Sequence, residues 1–422
     1  MTTRDDRPAL AVIGSGVAGL TAAYLLRHTH RVTVFEADDR PGGHAHTHAL
    51  VDSRGQENRV DSGFIVHNER TYPQLLRLFA ELGVQTQPTE MSMSIRCDGC
   101  GLEYAGGRGA ASIFSQPRRV ADVRFLRMLG EVRRFHREAL SVLRSGDSAL
   151  TWGDFLVEQQ FSPYFVRHFA IPLVSCVWSS GSADAGRYPA RYLFQFLDHH
   201  GMLAIKGSPQ WRTVVGGSRT YVDRVVEQVG DVRLSAPVRA VLRHDDSVEV
   251  VTPDRALSFD RVVLATHADT AHDLLADATP DEKSLLDAFD YSVNPTWLHT
   301  DTSVLPDSAR ARASWNYRLR DCHADESQVL VSYWMNRLQG LDAADQYLVT
   351  LNPEGWVDPS ATVAQMTYAH PIFTPESVAA AESLRSAGGP RLAFAGAHLG
   401  WGFHEDGCRS GVEAAAKFGA AW

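Results

Sequence analysis

The chain has 422 residues, of which 44% are hydrophobic and 22% are charged, as in an average globular protein. Its 41 basic and 50 acidic residues give a formal net charge of −9, which argues against a nucleic-acid-binding protein. The composition excludes a disordered chain, a collagen-like fibre and a disulfide scaffold. The five cysteines favour a reducing, cytoplasmic setting.

The first elements form a strand–turn–helix–strand unit. An apolar run over residues 9–13 predicts a strand, residues 17–27 predict a helix, and residues 31–35 predict a second strand. The unit has the size of one βαβ crossover, about 30 residues. Residues 8–26 carry no charge and have the length of a membrane span, but three glycines interrupt them, so we expect no transmembrane segment.

Further elements follow along the chain. Residues 121–144 predict an amphipathic helix that faces the core, with a membrane or partner surface as the alternative. Residues 231–251 predict Val-rich strands with a turn at 245–247, and residues 261–266 predict a short buried strand. Residues 297–373 are dense in aromatic and β-branched residues and predict a sheet with long loops.

Cys97 and Cys100 have the spacing of a metal-ligand or redox pair, but no second pair follows them. The Asp-Gly between them is equally typical of a hairpin tip. A structural zinc ion needs four ligands, so we expect a hairpin here and no metal site.

A glycine motif stands between the first strand and the first helix. Gly14, Gly16 and Gly19 fit G-x-G-x-x-G, in which the glycines permit the turn, the approach of a pyrophosphate and helix–strand packing. The N-terminus of the helix offers free N–H groups to phosphate. Glu36, at the end of the second strand, stands where a carboxylate accepts hydrogen bonds from the ribose. Together these features predict a dinucleotide site.

The segment Arg40-Pro-Gly42-Gly43 resembles the flavin amine oxidase/phytoene desaturase superfamily, in which R-x-G-G runs alongside the FAD. Val215-Gly-Gly217 and the closing residues 393–396 and 406–415 are similar to two further motifs of these proteins. The resemblance spans the chain and implies noncovalent FAD, with nothing local to favour attachment at Cys408. The predicted FAD contacts are Gly14, Gly16, Val17, Ala18, Gly19, Glu36, Ala37, Arg40, Gly42, Gly43, His44, Asp61, Ser62, Gly63, Val238, Thr266, Gly396, Asp406 and Gly407.

Residues 42–47, 60–73, 333–339, 366–371 and 402–407 resemble a bacterial group of FAD-dependent oxidoreductases. Relatives of that group accompany methyltransferases of the cyclopropane-fatty-acid-synthase type. The resemblance implies an acyl-lipid substrate, such a methyltransferase as a partner, and a cytoplasmic protein that can lie peripherally at the inner membrane.

Two positions depart from the superfamily pattern. Ala397 replaces the acid that usually follows the glycine of the closing motif, so we expect its ribityl contact to be either missing or replaced, with Asp406 as the candidate replacement. The lysine usual near flavin N5 in amine oxidases has no motif here, and Lys206 is the one lysine in a plausible region. Both departures weaken an amine-oxidase interpretation.

Candidate catalytic residues are few, because a flavin accepts the hydride itself. His404 and Glu405 flank the closing helix and are candidate bases. His44 replaces an arginine of the superfamily, so we expect it near the ring; it alternates with His46 and His48, which predicts one shared face and hydrogen bonding in preference to a metal. The residues predicted to line the substrate pocket are Tyr368, His370, Trp401 and Phe403.

We therefore predict an α/β fold, with a Rossmann-like FAD-binding domain from 1–86, 205–270 and 385–422. An α+β substrate domain would comprise 87–204, mainly helical, and 271–384, mainly sheet. The predicted function is FAD-dependent removal of hydride from a C–H bond of an apolar substrate, such as an unsaturated or branched acyl lipid. The alternatives are a flavin amine oxidase, a flavin-holding partner subunit of a lipid methyltransferase without its own turnover, and a non-redox isomerase.

Overall fold

A computed structural model describes residues 6–145, 150–179, 181–204, 207–322, 330–420 and 422. Its strands are β1 (Ala9–Ile13), β2 (Arg31–Phe35), β3 (Thr47–Val51), β4 (Glu57–Asp61), β5 (His67–Asn68), β6 (Thr86–Thr89), β7 (Met93–Cys97), β8 (Leu102–Gly106), β9 (Trp211–Val214), β10 (Val232–Arg233), β11 (Ala240–Arg243), β12 (Val248–Val251), β13 (Ala256–Phe259), β14 (Arg261–Leu264), β15 (Asp290–His299), β16 (Trp315–Leu319), β17 (Val331–Trp334), β18 (Leu348–Leu351), β19 (Thr362–Ile372) and β20 (Leu392–Phe394).

The helices in the same ranges are α1 (Val17–Leu26), α2 (Pro73–Leu82), α3 (Ala110–Ile113), α4 (Val123–Ser145), α5 (Trp152–Glu158), α6 (Pro163–Phe165), α7 (Ile171–Trp178), α8 (Ser182–Gly186), α9 (Ala190–His199), α10 (Arg219–Val229), α11 (Ala268–Leu274), α12 (Pro280–Leu286), α13 (Met335–Leu338), α14 (Pro375–Leu384) and α15 (His404–Lys417). A π-helical turn, Val166–Ala170, joins α6 to α7.

A parallel sheet carries the N-terminal unit. Its five strands lie in the order β10-β2-β1-β14-β20, and all its pairings are parallel. The central strand β1 is apolar and buried because the sheet is covered on both faces. Helices α1 and α15 pack closely against each other beside this sheet. The predicted strand–helix–strand unit is confirmed, with β1 and β2 at the predicted residues.

A second sheet has seven strands in the order β19-β15-β18-β17-β16-β7-β8. It is antiparallel except where β16 runs parallel to β7. Strands β16 to β19 and the end of β15 come from the aromatic region 297–373 that predicted a sheet, whereas the hairpin β7–β8 extends it from the segment predicted to be mainly helical. The mixed α/β fold is confirmed, and the domain boundaries stay a prediction.

A helical layer with an aromatic core packs on the second sheet. Phe135 of α4 is fully buried, and its ring lies 5.7 Å from Trp152 and 5.8 Å from Phe194, between ring centroids. Its neighbours Phe125 and Met128 are also fully buried and share the inner face of α4 with it. The predicted amphipathic helix therefore faces the core. No helix in the described ranges is both long and apolar enough to cross a membrane.

Candidate functional site

The turn between β1 and α1 depends on its glycines. Gly14 has a φ of +100°, and a Cβ there would lie 2.6 Å from the Ala265 carbonyl oxygen. A Cβ on Gly19 would overlap with the Gly14 carbonyl oxygen, whereas one on Gly16 would meet no atom within 4 Å. Gly14 and Gly19 therefore permit the turn itself. Gly16 borders open space at the N-terminus of α1, where phosphate groups bind.

Glu36 follows β2, and its carboxylate is held beside this turn. Oε2 accepts a hydrogen bond from the Ser15 N–H at 2.9 Å, and Oε1 accepts one from the Asp38 N–H at 2.9 Å. Glu36 and Ala37 line the same cavity as Gly14 and Gly16. A carboxylate at the end of the second strand can reach the hydroxyls of a ribose.

The segment 40–43 folds back onto the turn. Gly42 and Gly43 have φ values of +109° and +54°, and the Gly42 N–H donates to the Ser15 carbonyl oxygen at 3.0 Å. The Arg40 guanidinium donates to the Gly43 carbonyl oxygen at 2.8 Å. Arg40 and Gly42 therefore shape this segment, and Gly43 is the residue that borders the cavity.

One cavity of about 490 Å³ connects the turn with the aromatic interior of the second sheet and of helices α7 and α9. Many predicted site residues line it together. They are Gly14, Gly16, Val17, Ala18, Glu36, Ala37, Gly43, His44, Ser62, Gly63, Thr266, Tyr368, His370, Gly396, Phe403 and His404. The structure places the other predicted residues outside its lining: Gly19, Arg40, Gly42, Asp61, Val238, Trp401, Glu405, Asp406 and Gly407.

Asp61 ends β4 in the protein interior. Its carboxylate accepts hydrogen bonds from the Ser218 N–H at 2.9 Å and from the Gln339 side-chain amide at 3.0 Å. Burial raises the pKa of Asp61 to about 6, against these donors, which lower it. Asp61 thus connects the end of β4 with the segments that contain Ser218 and Gln339. Its neighbours Ser62 and Gly63 line the cavity.

Glu405 and Asp406 do not take the expected positions. They line a second cavity, behind Phe403. Asp406 accepts from the Phe403 N–H at 3.0 Å and pairs with Arg409 at 2.8 Å, because it caps the start of its own helix. The expectation that Asp406 replaces a ribityl contact is therefore wrong.

Glu405 serves another helix. Its carboxylate accepts the N–H groups of Gln74 and Leu75, both at 3.0 Å, at the start of α2. Burial raises the pKa of Glu405 to about 7. It caps α2 and does not face the main cavity, so the structure gives it no position as a base there.

The remaining three predicted residues have packing roles. Val238 packs beside the core between the parallel sheet and strands β11–β13. Trp401 borders the second cavity and lies 5.6 Å from the Tyr192 ring. A Cβ on Gly407 would lie 2.6 Å from Cγ1 of Val17, so this glycine lets α15 approach α1.

The histidines that line the main cavity are neutral at neutral pH because desolvation of their rings lowers their pKa values. Burial lowers the pKa of His370 to about 4 and the pKa values of His398 and His404 to about 3. Burial also lowers the pKa values of His44 and His267. These rings therefore give the cavity hydrogen-bonding groups without positive charge at neutral pH.

His404 and His44 differ in their partners. The His404 ring stacks on Phe64 with centroids 3.7 Å apart, and its Nε2 lies 2.9 Å from the Tyr221 hydroxyl. The His44 ring lies 4.9 Å from the Tyr368 ring, and its Nε2 is buried without a protein partner. His44 Nε2 is therefore free to bond a group inside the cavity.

The three alternating histidines do not share one face. His46 and His48 have ring centroids 4.0 Å apart, and His48 bonds the Ser62 hydroxyl at 2.9 Å. His44 lies in a turn at residues 43–44, and its ring packs against Tyr368, His370 and His267 instead of against the other two. His46 lies 3.2 Å from the Tyr368 hydroxyl, so both rings of this pair form hydrogen bonds. The sequence predicted hydrogen bonding for these histidines in preference to a metal.

The far end of the cavity is aromatic and was missed by the sequence analysis. It is lined by Trp178, Phe196, Met202, Trp211, Trp315, Tyr333 and Leu351. These residues come from α7, α9, four strands and the loop that follows α9, and no local motif connects them. Ser179, which ends α7 with a φ of +55°, also lines the cavity and strains the backbone there.

These features fit an FAD. The open space at Gly16, the helix N-terminus, the Glu36 carboxylate and the unpartnered His44 Nε2 lie along one cavity. Cys408 is buried under α1, takes a hydrogen bond from Thr21 and does not line the cavity, which fits noncovalent binding. Lys206 lies outside the described residues, and neither Lys283 nor Lys417 lines the cavity.

Comparisons with known proteins agree with this site. The family described as flavin containing amine oxidoreductase matches residues 17–417. AofH of Mycobacterium tuberculosis is 27% identical over 61% of this chain and 56% of its own length. The dog flavin-containing amine oxidase A is 27% identical over 59% of this chain and 47% of its own length. The matched region thus spans about half the length of these curated relatives.

Solved structures share the fold over nearly the whole chain. Cyclohexylamine oxidase from Brevibacterium oxydans has a TM-score of 0.70 at 17% identity, covering 97% of this chain and 98% of that one. A fatty acid isomerase from P. acnes that produces CLA has the same TM-score, identity and coverage. At this identity the likeness extends to the fold and leaves the substrate open.

Proposed function

The chain belongs to the flavin-containing amine oxidoreductase family and is an enzyme with FAD as its cofactor, and we propose that it removes hydride from a C–H bond of an apolar substrate. When bound, FAD supplies the acceptor for the hydride. The protein must then bind and orient the substrate, exclude water and accept a proton. Its cavity has side chains for each of these tasks.

The observation that carries the proposal is the chemistry of the cavity wall. Among the described residues, Glu36 is the one carboxylate that lines it, no lysine or arginine does, and the histidines there are neutral. Trp178, Tyr333 and Leu351 lie at the opposite end from Glu36 and offer apolar surface. A charged substrate would lose its hydration in this end without gaining an ionic partner, whereas an apolar chain gains by burial.

We assign the proton to His44. Loss of hydride leaves a cationic carbon, and desaturation requires the neighbouring carbon to give up a proton. His44 Nε2 is buried, unpartnered and in the cavity wall, so it can accept that proton. The lowered pKa of His44 makes it a weak base, which is adequate because a proton next to a cationic carbon is strongly acidic.

The favoured substrate is an unsaturated or methyl-branched acyl chain. The apolar lining of the aromatic end and its lack of ionic partners support this choice, as does the shared fold with a fatty acid isomerase. The same cavity would support isomerisation if the substrate takes the hydride back. A methyltransferase of the cyclopropane-synthase type, which forms branched or cyclised acyl chains, would be a suitable source of substrate or a partner.

Amine oxidation is the second candidate. The similarity to amine oxidases in sequence and fold favours it. The absence of a lysine from the described cavity wall weighs against it.

The test adds substrates anaerobically to the FAD-loaded enzyme. Unsaturated phospholipids or fatty acids should bleach the flavin absorption, and saturated straight chains of equal length and primary amines should not. His44→Gln should keep the flavin spectrum and slow the bleaching. Bleaching by amines with formation of peroxide in air, and none by lipids, would reverse the ranking. Turnover that requires an added methyltransferase, with none by the isolated chain, would favour a partner subunit.

A further inference from the structure

Four potential metal ligands meet outside the lining of the flavin cavity. Cys97 ends β7, Cys100 lies in the turn before β8, His168 lies in the π-helical turn, and Cys322 follows β16. Their ligand atoms all lie within 4.8 Å of one another. None of the four lines the flavin cavity. The sequence indicated the Cys97–Cys100 pair but showed no second pair of ligands. The fold supplies the two missing ligands by bringing His168 and Cys322 to this pair.

The distances match tetrahedral coordination. The sulfurs of Cys97 and Cys322 are 3.7 Å apart, and the His168 Nε2 lies 3.6 Å from the Cys100 sulfur and 3.7 Å from the Cys322 sulfur. Bonds of about 2.3 Å from zinc to sulfur and about 2.0–2.1 Å to nitrogen, at tetrahedral angles, give separations of about 3.8 Å and about 3.6 Å. These three separations agree with those around a zinc ion, and every other pair of ligand atoms lies within 4.8 Å.

His168 is held in the orientation that a metal ligand needs. Its Nδ1 lies 3.0 Å from the Tyr164 carbonyl oxygen, to which it donates, so the lone pair is on Nε2 and faces the three sulfurs. The His168 backbone is fixed as well, because its carbonyl oxygen accepts the Tyr104 hydroxyl at 2.7 Å. The π-helical turn, a feature common at functional sites, sets this position of the ring.

The strands and the turn place the cysteines. Strand β16 runs parallel to β7 with Leu319 opposite Cys97, which brings the residues after β16 beside the turn. Gly99 permits this approach, since a Cβ there would lie 2.8 Å from Cα of Asp321. The backbone N–H groups of Cys100 and Leu102 donate to the sulfurs of Cys97 and Cys100, which orients both sulfurs.

We propose that Cys97, Cys100, His168 and Cys322 form a structural zinc site of the Cys₃His type. Binding forms three Zn–S bonds and one Zn–N bond, and the thiol protons pass to solvent. Thiolates with one imidazole favour zinc over magnesium or calcium, and four protein ligands leave no open position for catalysis. The ion would tie the hairpin β7–β8 and the end of β16 to the helical layer, independently of the flavin.

The first experiment measures metal content by plasma mass spectrometry on the FAD-loaded protein expressed with added zinc. The wild type should hold one zinc ion per chain, and Cys322→Ser and His168→Ala should lose it. Cys408→Ala and His136→Ala are the matched controls, since neither residue belongs to the cluster, and both should keep the zinc. Zinc-free wild type, iron in place of zinc, or ligand variants that retain stoichiometric zinc would overturn the proposal.

A second measurement does not depend on folding of the variants. Wild-type protein stripped of metal with a chelator is titrated with Co²⁺ and followed in the red, where oxidised flavin does not absorb. A tetrahedral Cys₃His site predicts intense d–d bands that saturate at one equivalent and vanish when zinc is added. Weak octahedral bands, or a cysteine disulfide found by thiol counting in the wild type as purified, would contradict it.

Discussion

Replacement of Gly16 by alanine separates binding of FAD from folding. Gly16 has a φ of −64°, which alanine adopts, and a Cβ there meets no protein atom within 4 Å. The added methyl group would instead enter the space assigned to the pyrophosphate. We therefore expect a protein that folds normally and binds FAD poorly.

The magnitude follows from three contributions. Alanine is a poorer N-cap than glycine by about 1 kcal/mol. Alanine also lowers the entropy of the unfolded chain, which stabilises the folded state by about 0.4–1 kcal/mol. The free energy of unfolding of the apoprotein should therefore change by less than about 1 kcal/mol. Overpacking of the methyl group against phosphate costs about 1–3 kcal/mol, which weakens FAD binding by about 5- to 150-fold.

The assay titrates apoprotein with FAD by calorimetry and unfolds the apoprotein with denaturant. Gly19→Ala is the first control, because its Cβ overlaps with the Gly14 carbonyl oxygen and should destabilise the apoprotein itself. Gly130→Ala is the second, because it lies inside α4 with no atom near its Cβ; it should leave the FAD affinity unchanged and raise the free energy of unfolding by about 1 kcal/mol. Unchanged FAD affinity in Gly16→Ala, or a loss of apoprotein stability equal to that of Gly19→Ala, would refute the reasoning.

Three further predictions concern binding, stability and pH. Glu36→Gln should weaken FAD binding by about 1.5–3 kcal/mol, the value of a hydrogen bond to a charged group, and calorimetry should show no such loss for the exposed control Glu57→Gln. Phe135→Ala should lower the free energy of unfolding by about 3–5 kcal/mol, and Phe135→Leu by less, in denaturant titrations; equal losses would contradict tight aromatic packing. Because burial raises the pKa of Glu405 from 4.5 to about 7, the folded state binds the extra proton between these values, and stability falls as pH rises through this range. Glu405→Gln should reduce this fall in the free energy of unfolding by about 3 kcal/mol, as measured by denaturant titrations at several pH values in the range. An unchanged dependence of stability on pH would contradict the raised pKa.

The phosphate turn and the sheet around it could be predicted from the sequence because they depend on local chemistry. Gly19 is required by its contact with Gly14 inside one βαβ unit, Gly14 has a positive φ in the turn, and Glu36 follows the second strand directly. The aromatic run 297–373 likewise has the composition of the strands it forms. Short-range patterns of this kind need no knowledge of the tertiary structure.

The errors concern side chains whose roles are set by distant segments. Glu405 lies in a motif-like position but caps α2, which is distant in the chain. Asp406 is the exception, because it caps its own helix. Trp178 and Tyr333 belong to separate elements that meet only in the fold. Cys322 and Cys97 are 225 residues apart along the chain, so sequence spacing could not show that they are neighbours.

The central claim is that the FAD-loaded enzyme takes hydride from an apolar chain. The most direct measurement is the visible spectrum of the purified protein, recorded anaerobically as unsaturated phospholipids and then amines are added. We predict a two-band flavin spectrum that unsaturated lipids bleach and amines leave intact. A protein that binds no flavin after reconstitution, or a flavin that is bleached by amines and by no lipid, would contradict the account.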